Sequence, residues 1–184
     1  ITDIVQPDSQ PSGTGALTKT FRIKREPRRI DNIKIKVRLD QGAVAATGAA
    51  WAGAAGVVKE IRVRIADGGT TRNAFQITGP ALLSFAQFAT VENLDRNTLM
   101  AYRSTGFPVS ITHEITYTLN FSDVRLEDPF RHVTGLPLWL LGDDVIVEVD
   151  LFDIAAGGTV FTANPPTYNA TNALMCLVRY REGT

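Results

Sequence analysis

Five carboxylates close together are the first place where this sequence offers chemistry: Asp143, Asp144, Glu148, Asp150 and Asp153. Glu148 and Asp150 lie on one face if the segment is a strand, about 7 Å apart by strand rise. That separation is compatible with paired glycosidase carboxylates. Alternating acids are also the default product of a half-solvated strand, and that is the simpler expectation. Asp143 and Asp144 are adjacent hard oxygen donors of the kind calcium takes, and the sequence leaves that binding open. His113 falls at an apolar parity inside a strand-like run, so a packed or interface imidazole is expected in preference to a base. His132 follows Phe130-Arg131 in a loop, and no catalytic role is expected there. No Gly-x-Ser-x-Gly is present for a serine nucleophile. Gly68-Gly69 after Asp67 reads as a hairpin turn, without the longer Gly pattern and Lys-Ser/Thr of a phosphate loop. Cys176 is the one thiol, which excludes an internal disulfide and a thiolate zinc site. No catalytic, cofactor-binding or metal-binding set is expected, and the chain is not expected to be an enzyme.

Composition narrows the partners. The chain has 184 residues, 44% hydrophobic, enough for one domain with a real core. Lys+Arg and Asp+Glu are both 19, a formal net charge of zero. That argues against a counterion-displacing nucleic-acid binder and leaves little repulsion between copies. The basic run Arg22 to Arg29 is interrupted by Glu26 and has only Phe21 as an aromatic neighbour. A solvated strand face with an intersubunit salt-bridge patch is the commoner meaning of such a run. Genome packaging and contact with anionic lipid headgroups are the other readings. No run of 18 apolar residues occurs, and no signal-peptide pattern is legible.

The elements that would position these groups are strands. Ile33, Ile35, Val37 and Leu39 alternate with Lys34, Lys36 and Arg38. Ile61, Val63 and Ile65 alternate with Glu60, Arg62 and Arg64. Ile111, Ile115, Tyr117, Leu119 and Phe121 alternate with Thr112, Glu114, Thr116, Thr118 and Asn120. Val145, Val147, Val149 and Leu151 face away from Asp144, Glu148 and Asp150, with Ile146 and Phe152 breaking the polar side. Leu174 to Tyr180 forms the last strand. Period two means one apolar and one wet face for each. Residues 1–18, rich in Pro, Ser, Gly and Thr, read as an extended N-terminal arm beside a single domain over 19–184. Residues 41–56 and 155–170 read as long small-residue loops, and residues 80–93 as a short helix with Pro80 in its first turn and Thr78 as cap. About eight strands with long crossing connections predict an all-β fold: one eight-stranded jelly roll, a two-sheet β-sandwich, with a short helix near 80–90.

One segment is unusual. Leu136-Pro137-Leu138-Trp139-Leu140-Leu141 is a very apolar plug that runs through Gly142-Asp143 into the strand at Val145. Leu136, Leu138, Trp139 and Leu141 are expected to fill one end of the barrel. This segment resembles the LPL-hydrophobic-hydrophobic-L stretch of the upright jelly-roll capsid proteins of tailless icosahedral viruses with an internal membrane. Asp128-Pro129-Phe130-Arg131 is similar to the Pro-aromatic turn that precedes the plug in large-virus members. The order from Val57 to Met100 is a charged strand, a Gly turn, a helix from Leu82 to Phe88, then Asn93-Leu94-Asp95-Arg96-Asn97. That order is similar to the first barrel of marine membrane-containing phages. The usual members carry two jelly rolls in tandem, and this chain has room for one. The similarity is therefore to the single-jelly-roll branch of this double-jelly-roll-related lineage, where two small proteins do the work of one double barrel.

The resemblance implies a structural capsid protein of a virion, assembled in the host cytoplasm. Its partners would be copies of itself, with room for a second capsid protein and for contact with an internal viral membrane. No specific nucleic-acid recognition is expected. Trp51, Phe161 and Tyr168, set in small-residue loops, are the expected anchors between subunits. Arg62 and Arg64, with Glu148 and Asp150, would add salt-sensitive contacts. Three alternatives stay open. One is a carbohydrate-binding sandwich with Trp51, Trp139 and Tyr168 as platforms. Another is an enzyme on a cupin-like jelly roll, which two isolated histidines disfavour. The third is a vertex or host-attachment protein of the same particle.

Overall fold

The computed structural model describes residues 1–48, 56–67, 70–82, 109–122, 135–157 and 160–182. Its strands, in chain order, are β1 (Thr2–Val5), β2 (Leu17–Ile23), β3 (Arg28–Asp40), β4 (Thr47–Gly48), β5 (Val58–Asp67), β6 (Thr70–Thr78), β7 (Thr112–Asn120), β8 (Leu136–Pro137), β9 (Val145–Leu151), β10 (Phe161–Ala163), β11 (Thr167–Tyr168) and β12 (Leu174–Glu182).

Two antiparallel sheets share one core. The first, sheet A, runs β1-β12-β3, and the free edge of β3 is taken by β7 and then β8. Short β11 continues the β12 row along Leu39 and Asp40. The second, sheet B, runs β2-β9-β5-β6. A two-stranded piece, β4 with β10, stands apart. Taken in order, the eight strands β1, β2, β3, β5, β6, β7, β9 and β12 fill the sheets as first-eighth-third-sixth and second-seventh-fourth-fifth. That interleaving is two Greek keys wound together, the jelly roll the sequence predicts.

Alternation decides what goes inside. Ile33, Ile35, Val37 and Leu39 of β3 are fully buried, as are Val145, Val147 and Val149 of β9 and Cys176 and Val178 of β12. In register, Val147 stands between Phe21 of β2 and Val63 of β5. Such cross-strand apolar rows are the unit that stabilises a sheet. Gly79, where β6 ends, is a place of close approach: a β-carbon there would lie 2.2 Å from the Val58 carbonyl oxygen.

One irregularity matters. Ile30 and Asp31 are both buried, so the alternation of β3 slips. On the β12 edge, Arg179 pairs with Asn32 and Tyr180 with Ile30, which leaves Asp31 as a bulge. On the other edge the Asp31 carbonyl accepts the backbone N–H groups of Phe121 at 2.9 Å and Ser122 at 3.1 Å. There β7 leaves the sheet, and Ile30 and Arg29 pair instead with Leu136 and Pro137. The buried carboxylate is held by Arg181, whose Nε donates to Asp31 Oδ2 at 2.6 Å.

Several expectations are corrected here. Residues 1–18 are not free of regular structure. Thr2–Val5 pairs with β12, and Tyr180 N–H donates to the Ile1 carbonyl at 2.8 Å. Beyond β1 the Gln10 side chain takes over: its Oε1 accepts Leu174 N–H at 2.9 Å and its Nε2 donates to the Leu174 carbonyl at 3.0 Å. The connection then crosses to sheet B, where Asp8 N–H donates to the Thr20 carbonyl at 2.9 Å. The Pro/Ser/Gly composition suits this crossing, which is fixed by these hydrogen bonds and by buried Pro11. The two expected loops contain β4, β10 and β11. Of the expected helix, only the turn at 79–82 lies within the described residues.

Candidate functional site

The plug is built from its flanks. Gly135 adopts φ +117, and a β-carbon on it would meet the Arg29 side chain at 2.9 Å. Glycine therefore lets the chain enter β8 against β3. Pro137 then leads into a 3-10 turn, Leu138–Leu140, closed by Leu141 N–H on the Leu138 carbonyl at 3.2 Å. Leu138 is fully buried, and Leu136 and Leu141 pack against the core. Trp139 differs from the expectation of a buried plug residue. It is half-buried at the rim, with the Arg29 guanidinium 5.3 Å from its ring centroid. Its carbonyl accepts Arg25 Nη2 at 3.2 Å. Leu140 is 72% exposed. A 3-10 turn of three residues can send only one side chain straight inward, and Leu138 takes that place.

The outward face of sheet B gathers the charged candidates. Arg62 Nη2 reaches Asp150 Oδ2 at 2.8 Å, and Arg64 Nη1 reaches Glu148 Oε1 at 2.6 Å. Arg62 Nε stands 3.4 Å from Glu148 Oε2 and 3.5 Å from Glu60 Oε1, in ion-pair range without a hydrogen bond. Thr18 Oγ1 donates to Asp150 Oδ1 at 2.7 Å, and Gln76 Nε2 donates to Glu60 Oε1 at 3.1 Å. The network thus spans β2, β9, β5 and β6. Glu148 and Asp150 share a face, as their spacing predicts, but their oxygens are engaged by arginines. Asp144 is likewise engaged: it accepts Arg25 N–H at 2.8 Å and lies 3.6 Å from Arg22. Asp143 Oδ1 accepts the Asp144 N–H at 2.7 Å.

Sheet A carries a different outward face. On β3, Lys36 and Arg38 both reach Glu114 of β7, Arg38 Nε at 2.8 Å from Oε2. Burial pushes the Glu114 carboxyl up, but hydrogen bonds and charge from Lys36 and Arg38 outweigh it, and the net shift is downward. Beside this row stand Met175 and Leu177 of β12, half-buried, and Ile4 of β1, 62% exposed. Their neighbours in register are Lys36 for Met175, Lys34 and Ile4 for Leu177.

The expected aromatic anchors divide. Phe161, on β10 beside β4, is fully buried, and Tyr168, opposite Leu39 of β3, is 8% exposed, so both serve the interior and are not exposed anchors. Burial, then the charge of Asp153, raises the Tyr168 hydroxyl. Trp51 and His132 lie outside the described residues. His113 is buried opposite Leu39, as its parity predicts. Cys176 is buried, and desolvation pushes its thiol up to about 12. As a sugar platform, Tyr168 is enclosed and one face of Trp139 is occupied by Arg29. Sequence reasoning did not single out Asp31, Gln10 or the Ile4-Leu177-Met175 row. Only the last had a signal, the apolar residues on both parities of β12.

No protein-family model matches this chain, and no curated protein matches it. Solved structures do. The PBCV-1 VP54 crystal structure, fitted into a cryo-EM reconstruction of the virophage Sputnik, aligns with TM-score 0.61 and 12% identity over 97% of this chain. The quasi-atomic model of the PBCV-1 virus capsid gives 0.59 and 14% over 97%. The crystal structure of the STIV MCP gives 0.59 and 13% over 99%. The chain shares its jelly-roll fold with those viral capsid proteins. It spans 41%, 41% and 49% of those three chains, less than half of each. At such identities the likeness is one of fold.

Proposed function

We propose that this jelly roll is a structural subunit of a viral capsid, a component of the virion that tiles a shell in many copies. The observation that carries the reading is alignment of nearly the whole chain, 97–99%, with one portion of viral capsid proteins. The mechanism is burial of surface between neighbouring barrels. Each contact can be weak, because a closed shell engages many at once. A formal net charge of zero suits close packing of like copies. A second jelly-roll protein is a compatible partner, since the chain spans less than half of each similar chain. For contact with an internal viral membrane the supporting feature is the plug rim, where exposed Leu140 adjoins Trp139 and the exposed cations Arg22, Lys24 and Arg25.

The test is assembly. The purified chain, alone and with any companion that copurifies from its source, is examined by small-angle scattering and electron microscopy. Rings, capsomers or closed particles are expected. A strictly monomeric protein at high concentration, from a source with no particle, would overturn the reading and leave the carbohydrate-binding module as the better account.

A further inference from the structure

We propose that the uncharged end of the barrel, opposite the plug, is where a second copy of this chain docks, with Val44, Val109 and Ile111 at its centre. The inference rests on the capsid reading and names one contact that reading leaves open. Strand β3 fixes the two ends: Arg29 pairs with Pro137 of the plug, and Asp40, about 35 Å along, pairs with Thr112. Three chain segments meet beyond Asp40. Gln41 N–H donates to the Ile111 carbonyl at 3.0 Å, and Ser110 N–H to the Gly42 carbonyl at 3.0 Å. Gln41 Nε2 donates to the Asn164 carbonyl at 3.3 Å, and Thr162 Oγ1 to the Thr47 carbonyl at 3.2 Å. Residues 41–48, 109–112, 154–157 and 160–167 include no Lys, Arg, His, Asp or Glu. The bordering carboxylates are engaged within the subunit: Asp40 accepts Asn169 Nδ2 at 3.0 Å, and Asp153 accepts Ala155 N–H at 2.7 Å. Of six large apolar side chains exposed among the described residues, three belong to these segments: Val44 at 61%, Ile111 at 49% and Val109 at 43%.

Chemistry chooses the occupant. Lipid headgroups and nucleic acids present phosphates, which cations meet. These segments have no cation, and exposed Arg22, Lys24 and Arg25 stand at the other end. A sugar stacks on exposed aromatic rings, whereas Phe161 and Tyr168 are buried. An uncharged apolar patch fits the charge-depleted centre of a protein–protein contact. The same end of another copy supplies such a surface. Two copies joined here set no charge against its counterpart, wherever the two-fold axis passes through the patch. Gly42, Ala43 and Ala45 are exposed beside Val44, and their small side chains let the backbones come close. A patch shared by both partners closes into a pair. Its extent, on the order of 300 Å² per copy, is the scale of the largest apolar patch on an ordinary monomer. That makes a single contact weak, as a shell built from many contacts requires.

The experiment traps the weak pair. Val44→Cys and Leu140→Cys are mildly oxidised at equal concentration, and covalent dimer is followed on non-reducing gels. Cys176 is buried and does not compete. Val44→Cys should link at least tenfold faster than Leu140→Cys, although Leu140 is the more exposed of the two. Adding Ile111→Lys should remove that advantage with an unchanged melting temperature. Should Ile111→Lys fail to fold, Val109→Lys makes the same test. Equal rates for Val44→Cys and Leu140→Cys overturn the proposal, as does an advantage that survives Ile111→Lys. So does native protein that floats with phosphatidylcholine vesicles when Ile111→Lys does not, which would make this end a lipid contact. The linking rates decide the contact, and electron microscopy of the native chain decides the capsid reading on which it rests.

Discussion

Strands β3 and β9 read alike in the sequence, each an apolar row on one parity and charges on the other, yet their outward faces behave differently. On sheet B, Glu60, Arg62, Arg64, Glu148 and Asp150 meet one another across the strands, and Glu148 takes two arginines. On sheet A two cations share a single Glu114, and the next row is apolar. Composition does not separate these faces. Register does, because it decides whether Arg62 lands opposite Glu148 or Lys36 opposite Met175. The lesson is that a balanced chain can gather a dense ion-pair network on one face and set an apolar row beside its charges on the other.

That contrast can be broken or sharpened by experiment. The largest effect belongs to the core both faces stand on. Phe21→Ala removes a fully buried ring beneath β9 and should cost about 3–5 kcal/mol in chemical denaturation. Both faces should be lost in one transition, and two separate transitions would show that the sheets do not share a core.

The next effect is alkaline. Tyr168, Cys176 and Tyr180 stand on the β11 and β12 rows of sheet A, and burial is the first cause of each upward shift. The folded thiol keeps its proton to about 12, while the unfolded one releases it near 9.0. Between those values the unfolded chain binds fewer protons, so stability falls as pH rises. Urea midpoints at pH 8, 10 and 11 should decline in that order, with amide exchange rising first in β12. A flat profile, or early exchange in β9, would reverse the assignment.

Smaller effects separate the faces directly. Glu148→Gln leaves two arginines short of charge at a position only 16% exposed, and should cost about 1–2 kcal/mol. Glu114→Gln, at 31% exposure, should cost under about 1 kcal/mol. Its sign in pH is fixed: a depressed folded value gives a contribution present above 4.5 and lost as pH falls through the folded value. Equal costs for the two glutamine variants would dissolve the distinction between the two faces.

Much of the fold was legible because long strands carry their period openly. The alternations at Ile33–Leu39, Ile61–Val63, Ile115–Leu119 and Val145–Leu151 all point inward as read. What escaped was short or aperiodic. Strand β1 has four residues, and β4 and β11 have two each, too few to show alternation. The bulge at Asp31 is a property of two partners and cannot be seen in one strand. The surface reading fared less evenly. Arg62, Arg64, Glu148 and Asp150 do meet, but within one subunit. Phe161 and Tyr168 were placed outside because small residues surround them in sequence, whereas both rings are buried.

Strand β3 is laced along both edges, by β12 and β11 on one side and by β7 and then β8 on the other. The hand-over at Asp31 leaves no stretch of it hanging free. Pulled lengthwise, such a strand cannot peel one bond at a time, because its bonds lie across the direction of pull and bear the load together. A shell under internal pressure stretches its tiles in their own plane. A barrel threaded by β3 would meet that stretch stiffly when the load runs along the strand and yield sooner when it runs across, so the wall would have a grain, like wood.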